Sequence, residues 1–141
     1  MKILIICTGN TCRSQMAETY LKSFDSKLEV YSAGTKAEGK INPRTVMVME
    51  EEGFDLSENK PKSVDIFLKD TFDYVITVCD GAKEVCPIFT GKVARRLHMG
   101  FEDPADYKGS DENVLPHYRR IRNQIKSIFY QFYQDELKKN I

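Results

Sequence analysis

The sequence predicts an α/β fold: a single open, parallel four-stranded sheet flanked by helices, in one domain spanning residues 1–141. Two observations favour this class. Short apolar runs of strand length alternate along the chain with segments of helical character, which is the order typical of a parallel sheet. The composition also suits one hydrophobic core, because 41% of the 141 residues are hydrophobic and no repeat, linker or low-complexity segment divides them.

Four strands are predicted. The apolar run Ile3–Ile6 is typical of a buried parallel strand, so Cys7 stands at its carboxyl end. Alternation predicts a second strand over Lys27–Gly34, β-branched residues predict a third over Phe72–Cys79, and a fourth is expected over Val93–Met99. Open α/β sheets bind ligands beyond the carboxyl ends of their strands, so the cysteines at the ends of the first and third strands are expected at one rim.

Helices are predicted between and after these strands. The first covers Ser14–Phe24, the second is expected over Pro43–Gly53 with proline at its first position, and a short one is expected over Val64–Leu68. The last helix is predicted over Asn113–Lys138, with Pro116 in its first turn. Its apolar face at helical spacing contains Ile121, Ile125, Ile128, Phe129 and Phe132. Its basic residues are expected on a solvated face: Arg119, Arg120 and Arg122.

Composition argues against several classes of partner. The 21 basic and 21 acidic residues give a formal net charge of zero, which offers no electrostatic reason to bind nucleic acid or an anionic membrane. No apolar run approaches the ~20 residues of a membrane span, and no secretory signal precedes the first strand, so a cytoplasmic location is expected. The protein is also expected to be a monomer. Cytosolic thiols are kept reduced, and the four cysteines include no Cys-x2-Cys pair, so a functional dithiol is favoured over structural disulfides or a zinc site.

The residues between the first strand and the first helix predict an oxyanion site. Backbone N–H groups of a tight loop before a helix converge on one point, and the helix dipole adds positive potential there. Arg13 can clamp two oxygens of the anion with its planar guanidinium group. The predicted oxyanion-binding residues are Thr8, Gly9, Asn10, Thr11, Cys12, Arg13 and Ser14.

Cys7 is predicted to be a nucleophile aimed at that anion. The loop dipoles and Arg13 stabilise its thiolate, and Ser14 can donate a hydrogen bond to it. A lone cysteine at the end of a strand is more often simply buried. A cysteine, five residues and then Arg-Ser, placed between a strand and a helix, strongly favours the catalytic interpretation. Cys12 is expected to pack under the helix, with pairing to Cys7 under oxidation as the alternative.

The pattern Cys7-x5-Arg13-Ser14 resembles that of the low-molecular-weight protein tyrosine phosphatases and of their relatives, the thioredoxin-coupled arsenate reductases. The resemblance covers nearly the whole chain and implies a doubly wound, low-molecular-weight phosphatase-like fold. The continuation from Gln15 to Glu18 looks like the reductase branch, because phosphatases more often have proline at the position of Gln15.

The segment from Thr77 to Pro87 resembles the redox segment of the arsenate reductases, which implies that Cys79 and Cys86 are redox-active. In an intact helix, residues seven apart lie about 10 Å apart along the axis, whereas a disulfide needs Cα atoms within about 7 Å. A bond between these cysteines therefore requires the segment to bend or unwind, which Gly81 makes easier. Taken alone, the two cysteines fit equally well an alternative without redox chemistry, in which Cys79 is a core residue and Cys86 is incidental.

Asp103 precedes Pro104, which biases it away from the helical region and holds its carboxyl group on an extended loop. An Asp-Pro pair alone is a common feature of turns. The resemblance supplies the role of general acid, because both branches of the family use an Asp-Pro acid after the last strand.

Together these residues imply an arsenate reductase. Cys7 attacks bound arsenate, for which phosphate and sulfate compete, and Asp103 protonates the departing hydroxyl group. Cys79 then attacks the adduct, and Cys86 carries the disulfide outward to thioredoxin. Two alternatives stay open: a low-molecular-weight protein tyrosine phosphatase acting on phosphomonoesters, which lacks the Cys79 and Cys86 pair, and a thiol redox sensor that binds oxyanions without turnover.

No tightly bound cofactor is expected. Some of the reductases bind a potassium ion beside the loop, however, through an Asn, a Glu, a Ser and an Asp. The matching candidates in this sequence are Asn10, Glu18, Ser32 and Asp65.

Overall fold

A computed structural model describes residues 1–37, 39–81 and 88–138. Within these ranges, four strands form one parallel sheet in the order β2-β1-β3-β4. The elements are β1 (Lys2–Cys7), α1 (Arg13–Phe24), β2 (Glu29–Gly34), α2 (Pro43–Glu50), β3 (Thr71–Thr77), β4 (Lys92–His98) and α3 (Asp111–Phe132). The predicted α/β class and its open, parallel four-stranded sheet are confirmed.

Shorter helical segments join these elements. They are 3₁₀ turns at Val64–Phe67 and Pro104–Asp106, and a π-helical turn, Tyr133–Leu137, which continues α3. The first of them overlaps the short helix that the sequence predicts. Among the described residues, no helix has both the length and the apolar character needed to cross a membrane.

Strand β1 is buried on both faces of the sheet. Ile3 and Ile5 belong to the cluster packed against α1 and α3, whereas Leu4 and Ile6 belong to the cluster on the opposite face. All four side chains are 0% exposed, and full burial of a side chain of this size contributes about 1.5–3 kcal/mol. The opposite face is covered by aromatic side chains: Phe67, Phe72 and Phe89. The loop that follows Cys7 therefore starts from a strand held firmly on both sides.

Several predicted boundaries are wrong by a few residues: β2 begins at Glu29 rather than Lys27, and α2 ends at Glu50 rather than near Gly53. β3 ends at Thr77 rather than Cys79, because its pairing with β4 stops at His98 and the Val78 carbonyl then accepts from the Phe101 N–H. α3 begins at Asp111, so Pro116 lies inside the helix and not in its first turn. Acidic side chains near the positive end of the helix dipole favour this earlier start.

Two predictions about the faces of α3 are also wrong. Ile128 is 45% exposed and does not belong to the apolar face, while the other four predicted positions are buried. Arg122 is buried, not solvated, because its Nη1 donates to the Val48 carbonyl and to Glu51 Oε1. A charged side chain tolerates burial when its donors are satisfied in this way.

Candidate active site

The loop from Cys7 to Ser14 and the segment around Asp103 enclose a cavity of about 220 Å³ at the carboxyl edge of the sheet. This cavity is not the largest in the described part of the chain, but it is the one that the predicted nucleophile, arginine and acid share. Its lining residues are Cys7, Thr8, Gly9, Thr11, Cys12, Arg13, Asp103 and Ala105. Two predicted oxyanion residues, Asn10 and Ser14, are fully buried and support the loop from behind.

Asn10 shapes the loop. Its φ of 57° lies in the left-handed region, and among the described residues other than glycine it is alone in having a positive φ. Asparagine tolerates this conformation better than most residues. Its side-chain Oδ1 accepts from the Lys62 N–H at 2.9 Å and from Gln15 Nε2 at 3.1 Å. These bonds hold a backbone conformation that costs about 1–3 kcal/mol, so the loop keeps its shape before any anion arrives.

Two hydrogen bonds meet at the Cys7 sulfur. The Asn10 N–H donates to Sγ at 3.2 Å, and Ser14 Oγ lies 3.0 Å from the same atom. Asn10 Nδ2 donates to Ser14 Oγ at 2.7 Å, so the serine oxygen accepts there and its own proton is available to the sulfur. The Asn10 N–H donates to Cys7 and the Ser14 hydroxyl is placed to donate to it, an arrangement suited to a nucleophilic sulfur at the base of the cavity.

Cys12 is a second thiol at the cavity and immediately precedes α1. Its side chain is buried and belongs to the main core. Burial raises the pKa of the Cys12 thiol to about 12, even though Arg13 acts in the opposite direction. A thiol that stays protonated near neutral pH is a poor nucleophile, which agrees with the predicted packing role.

Arg13 connects the loop to the segment carrying the acid. Its Nη1 donates to the Phe101 carbonyl at 3.1 Å, and its Nη2 lies 3.5 Å from Asp103 Oδ2. The other carboxylate oxygen, Oδ1, accepts from the Ala105 N–H at 3.0 Å. The Asp103 carboxyl group is thereby placed at the cavity, where it can exchange a proton with a bound ligand.

Sequence reasoning missed the residues that support the loop from distant parts of the chain. Gly34 is one of them: a Cβ added there would lie 2.4 Å from the Thr8 carbonyl oxygen. Gln15 and Lys62 hold Asn10, as described above. A glycine that ends a predicted strand can mark the close approach of another backbone, and this signal was available for Gly34.

Cys79 lies at the same sheet edge as Cys7, as predicted. Strands β1 and β3 are parallel neighbours with Ile6 paired to Thr77. Cys7 ends β1, and Cys79 lies two residues beyond the carboxyl end of β3. Cys79 is fully buried and disulfide-bonded, whereas Cys7 and Cys12 are free thiols. Cys86, and with it the predicted bending of the segment after Cys79, lies outside the described residues.

The candidate potassium residues are only partly brought together. Glu18 Oε1 accepts from Ser32 Oγ at 2.7 Å and lies 3.9 Å from Lys62 Nζ, while Oε2 accepts from Lys22 Nζ at 2.8 Å. Two ammonium groups thus already supply positive charge to this carboxylate, and burial lowers the pKa of Lys62. Asp65 is exposed. These residues suit lysine ammonium groups better than a resident metal cation, and potassium binding stays a prediction.

Comparison with known proteins defines the class. The family model of the low molecular weight phosphotyrosine protein phosphatases matches residues 2–141, and the chain belongs to that family. The resemblance predicted from the Cys7 loop is confirmed.

The similar proteins include both arsenate reductases and a protein tyrosine phosphatase. An arsenate reductase of Halalkalibacterium halodurans is 44% identical over 124 residues, which are 87% of this chain and 88% of the relative. A solved structure of an arsenate reductase in the phosphate binding state has a TM-score of 0.75 at 29% identity and covers 93% of this chain and 95% of its own. The solution structure of a low molecular weight protein tyrosine phosphatase from Bacillus subtilis has a TM-score of 0.73 at 25% identity, with 99% of each chain covered.

Proposed function

We propose that this protein is an arsenate reductase that forms an intramolecular disulfide and passes it to thioredoxin. One observation carries the proposal: a free, hydrogen-bonded Cys7 inside an oxyanion cavity shares its sheet edge with a second cysteine, Cys79, which is disulfide-bonded. The names of the relatives in the reductase branch support it.

The first step forms a covalent adduct. The Cys7 thiolate attacks the arsenic atom of arsenate, so that a sulfur–arsenic bond forms and an arsenic–oxygen bond breaks. The departing hydroxide takes a proton from Asp103 and leaves as water. The N–H groups of the loop and Arg13 carry the negative charge of the remaining oxygens, which is the usual way a protein stabilises such an anion.

The second step is the reduction. The Cys79 thiolate attacks the Cys7 sulfur, and the electron pair of the sulfur–arsenic bond stays on arsenic, which falls from As(V) to As(III) and leaves as arsenite. Two thiolates have become one disulfide, so the electrons balance. The Cys86 thiolate then attacks the Cys79 sulfur and frees Cys7. The dithiol of thioredoxin reduces the Cys79–Cys86 disulfide and is itself oxidised. We place this cycle in the cytoplasm, where thioredoxin is kept reduced.

Phosphomonoester hydrolysis is the second candidate. The family assignment and the similarity to a protein tyrosine phosphatase favour it. Phosphate and arsenate share shape and charge, so the same cavity would hold either. In this reaction Asp103 would protonate the departing alcohol, and water would hydrolyse the Cys7 phosphate without using Cys79.

One experiment separates the candidates. Arsenate-dependent oxidation of NADPH, with thioredoxin and its reductase, is measured beside hydrolysis of an aryl phosphate. For a reductase, Cys86→Ser should release one equivalent of arsenite and accumulate a Cys7–Cys79 disulfide, identified by mass spectrometry. Cys79→Ser should release none by this route. Aryl phosphate hydrolysis with no arsenate-dependent disulfide would support the phosphatase, and phosphate binding without either turnover would support a redox sensor.

A further inference from the structure

The segment that contains Asp103 is hydrogen-bonded to α3 through side chains that have no part in the proposed reaction. Arg120 Nη1 donates to Glu102 Oε2 at 2.7 Å, and its Nη2 donates to the Tyr107 hydroxyl at 3.2 Å. The Tyr107 hydroxyl in turn donates to Glu102 Oε1 at 2.8 Å, which closes a ring of three hydrogen bonds. We call Glu102, Tyr107 and Arg120 the Arg120 clasp.

His117 packs on the clasp from α3. Its ring stacks on Tyr107 with the centroids 3.7 Å apart and the planes 6° from parallel. Its Nδ1 lies 3.4 Å from Arg120 Nη2. Tyr107 is therefore held both by its hydroxyl and by the face of its ring, and close stacking of this kind adds to the energy of burial alone.

The positions of the clasp residues explain what it holds. Glu102 directly precedes Asp103, and Tyr107 directly follows the 3₁₀ turn Pro104–Asp106. The clasp thus contacts the chain on both sides of Asp103 and holds both ends of the segment that contains the acid. The carboxylate bonds of Asp103 itself go to Ala105 within that segment and to Arg13 of α1.

We propose that Arg120 is a positioning residue for the general acid. By holding Glu102 and Tyr107 together, it keeps the Asp103 carboxyl group at the mouth of the oxyanion cavity. The inference rests on the role proposed for Asp103. A misplacement of about 1 Å can slow a positioned reaction about 100-fold, so a modest loosening of the clasp should be measurable.

The test compares two neighbouring arginines of α3. Arg119 forms a bidentate pair with Glu51 at 2.9–3.1 Å. The side chains of that pair are 42% and 39% exposed, against 39% and 35% for Arg120 and Glu102. Arg119→Met therefore removes a similar ion pair on the same helix without touching the acid segment.

In single turnover with arsenate, Arg120→Met should slow formation of the Cys7 adduct about tenfold, and Arg119→Met by less than about twofold. The inhibition constant of phosphate should change by less than about twofold in both variants, because the cavity is built by the Cys7 loop and Arg13. Arg120→Lys should recover part of the rate, since an ammonium group keeps the charge beside Glu102 but lacks the fork that reaches Tyr107.

A double-mutant cycle distinguishes an effect of Arg120 on the position of Asp103 from a general disturbance of the active site. In an Asp103→Asn background, Arg120→Met should cause no further slowing, because the group it positions has lost its proton. Equal slowing in both backgrounds, or an Arg120→Met rate within twofold of wild type, would overturn the proposal.

Amide exchange of residues 101–107 tests the clasp independently of turnover. Arg120→Met should accelerate exchange there, and Arg119→Met should not. If wild-type protein does not reduce arsenate, the proposed function fails while this measurement still decides whether the clasp holds the segment. Equal amide exchange rates of residues 101–107 in Arg120→Met and Arg119→Met would show that the clasp does not hold this segment.

Discussion

Gly34→Ala should distort the loop that forms the oxyanion cavity, although Gly34 does not itself line the cavity. Gly34 ends β2 and pairs with Cys7, and its Cα faces the backbone of the loop that follows. An added Cβ would lie 2.4 Å from the Thr8 carbonyl oxygen, and 3.0 Å from both the Asn10 nitrogen and the Gly9 carbonyl carbon. All three neighbours are backbone atoms, so no side-chain rotation relieves the overlap. The loop must move by about 1 Å before the Thr8 contact reaches the ordinary 3.4 Å.

The size of the effect follows from that displacement. A shift of about 1 Å in the groups that hold a reacting anion can cost about 100-fold in rate, and overpacking of this kind destabilises a protein by about 1–3 kcal/mol. Gly34→Ala should therefore slow adduct formation with arsenate about 100-fold and weaken the binding of phosphate, measured by titration calorimetry. Urea unfolding measures the accompanying loss of stability.

Gly39→Ala is the matched control. A Cβ at Gly39 would meet no atom within 4 Å, so this variant should bind phosphate and turn over as the wild type does. A Gly34→Ala variant that folds, binds phosphate with wild-type affinity and forms the adduct at a rate within about threefold of wild type would contradict this prediction.

Three further predictions concern the reaction and the stability of the fold. Cys7→Ser should abolish turnover but retain phosphate binding, because the cavity is mostly backbone; measurable turnover would show that another residue is the nucleophile. Asp103→Asn should slow adduct formation by about 10²–10⁴, and an unchanged single-turnover rate would mean that water supplies the proton. Hydrogen bonds from Arg119 and then Arg122 hold the pKa of Glu51 below its usual 4.5, so its stabilising contribution is present above that pH and is lost as the pH falls through the lowered pKa. The stability deficit of Glu51→Gln in urea should therefore shrink between pH 7 and pH 3, and a constant deficit would contradict this.

Features encoded in contiguous residues could be predicted from the sequence. The apolar run before Cys7 and the helical segment after Ser14 place the loop between a strand and a helix without any knowledge of distant contacts. The parallel sheet follows from the order of the elements, because consecutive parallel strands require a crossover between them. Positions near an element's end were less certain, as the end of β3 and the start of α3 show, because pairing and capping partners decide them.

Contiguous residues are enough to predict the strand, the loop and the helix around Cys7, and with them the family and an oxyanion as the kind of ligand. The contacts that hold this loop in place come from distant parts of the chain and are visible only in the folded protein. The Asn10 amide is held by Lys62, 52 positions away, and Arg13 contacts the Phe101 carbonyl, 88 positions away. No local pattern reveals such partners, because side-chain periodicity reports which face of an element is buried and not which distant backbone it meets. For the same reason, Arg119, Arg120 and Arg122 look alike in the sequence, while their separate roles depend on the segments that fold against α3.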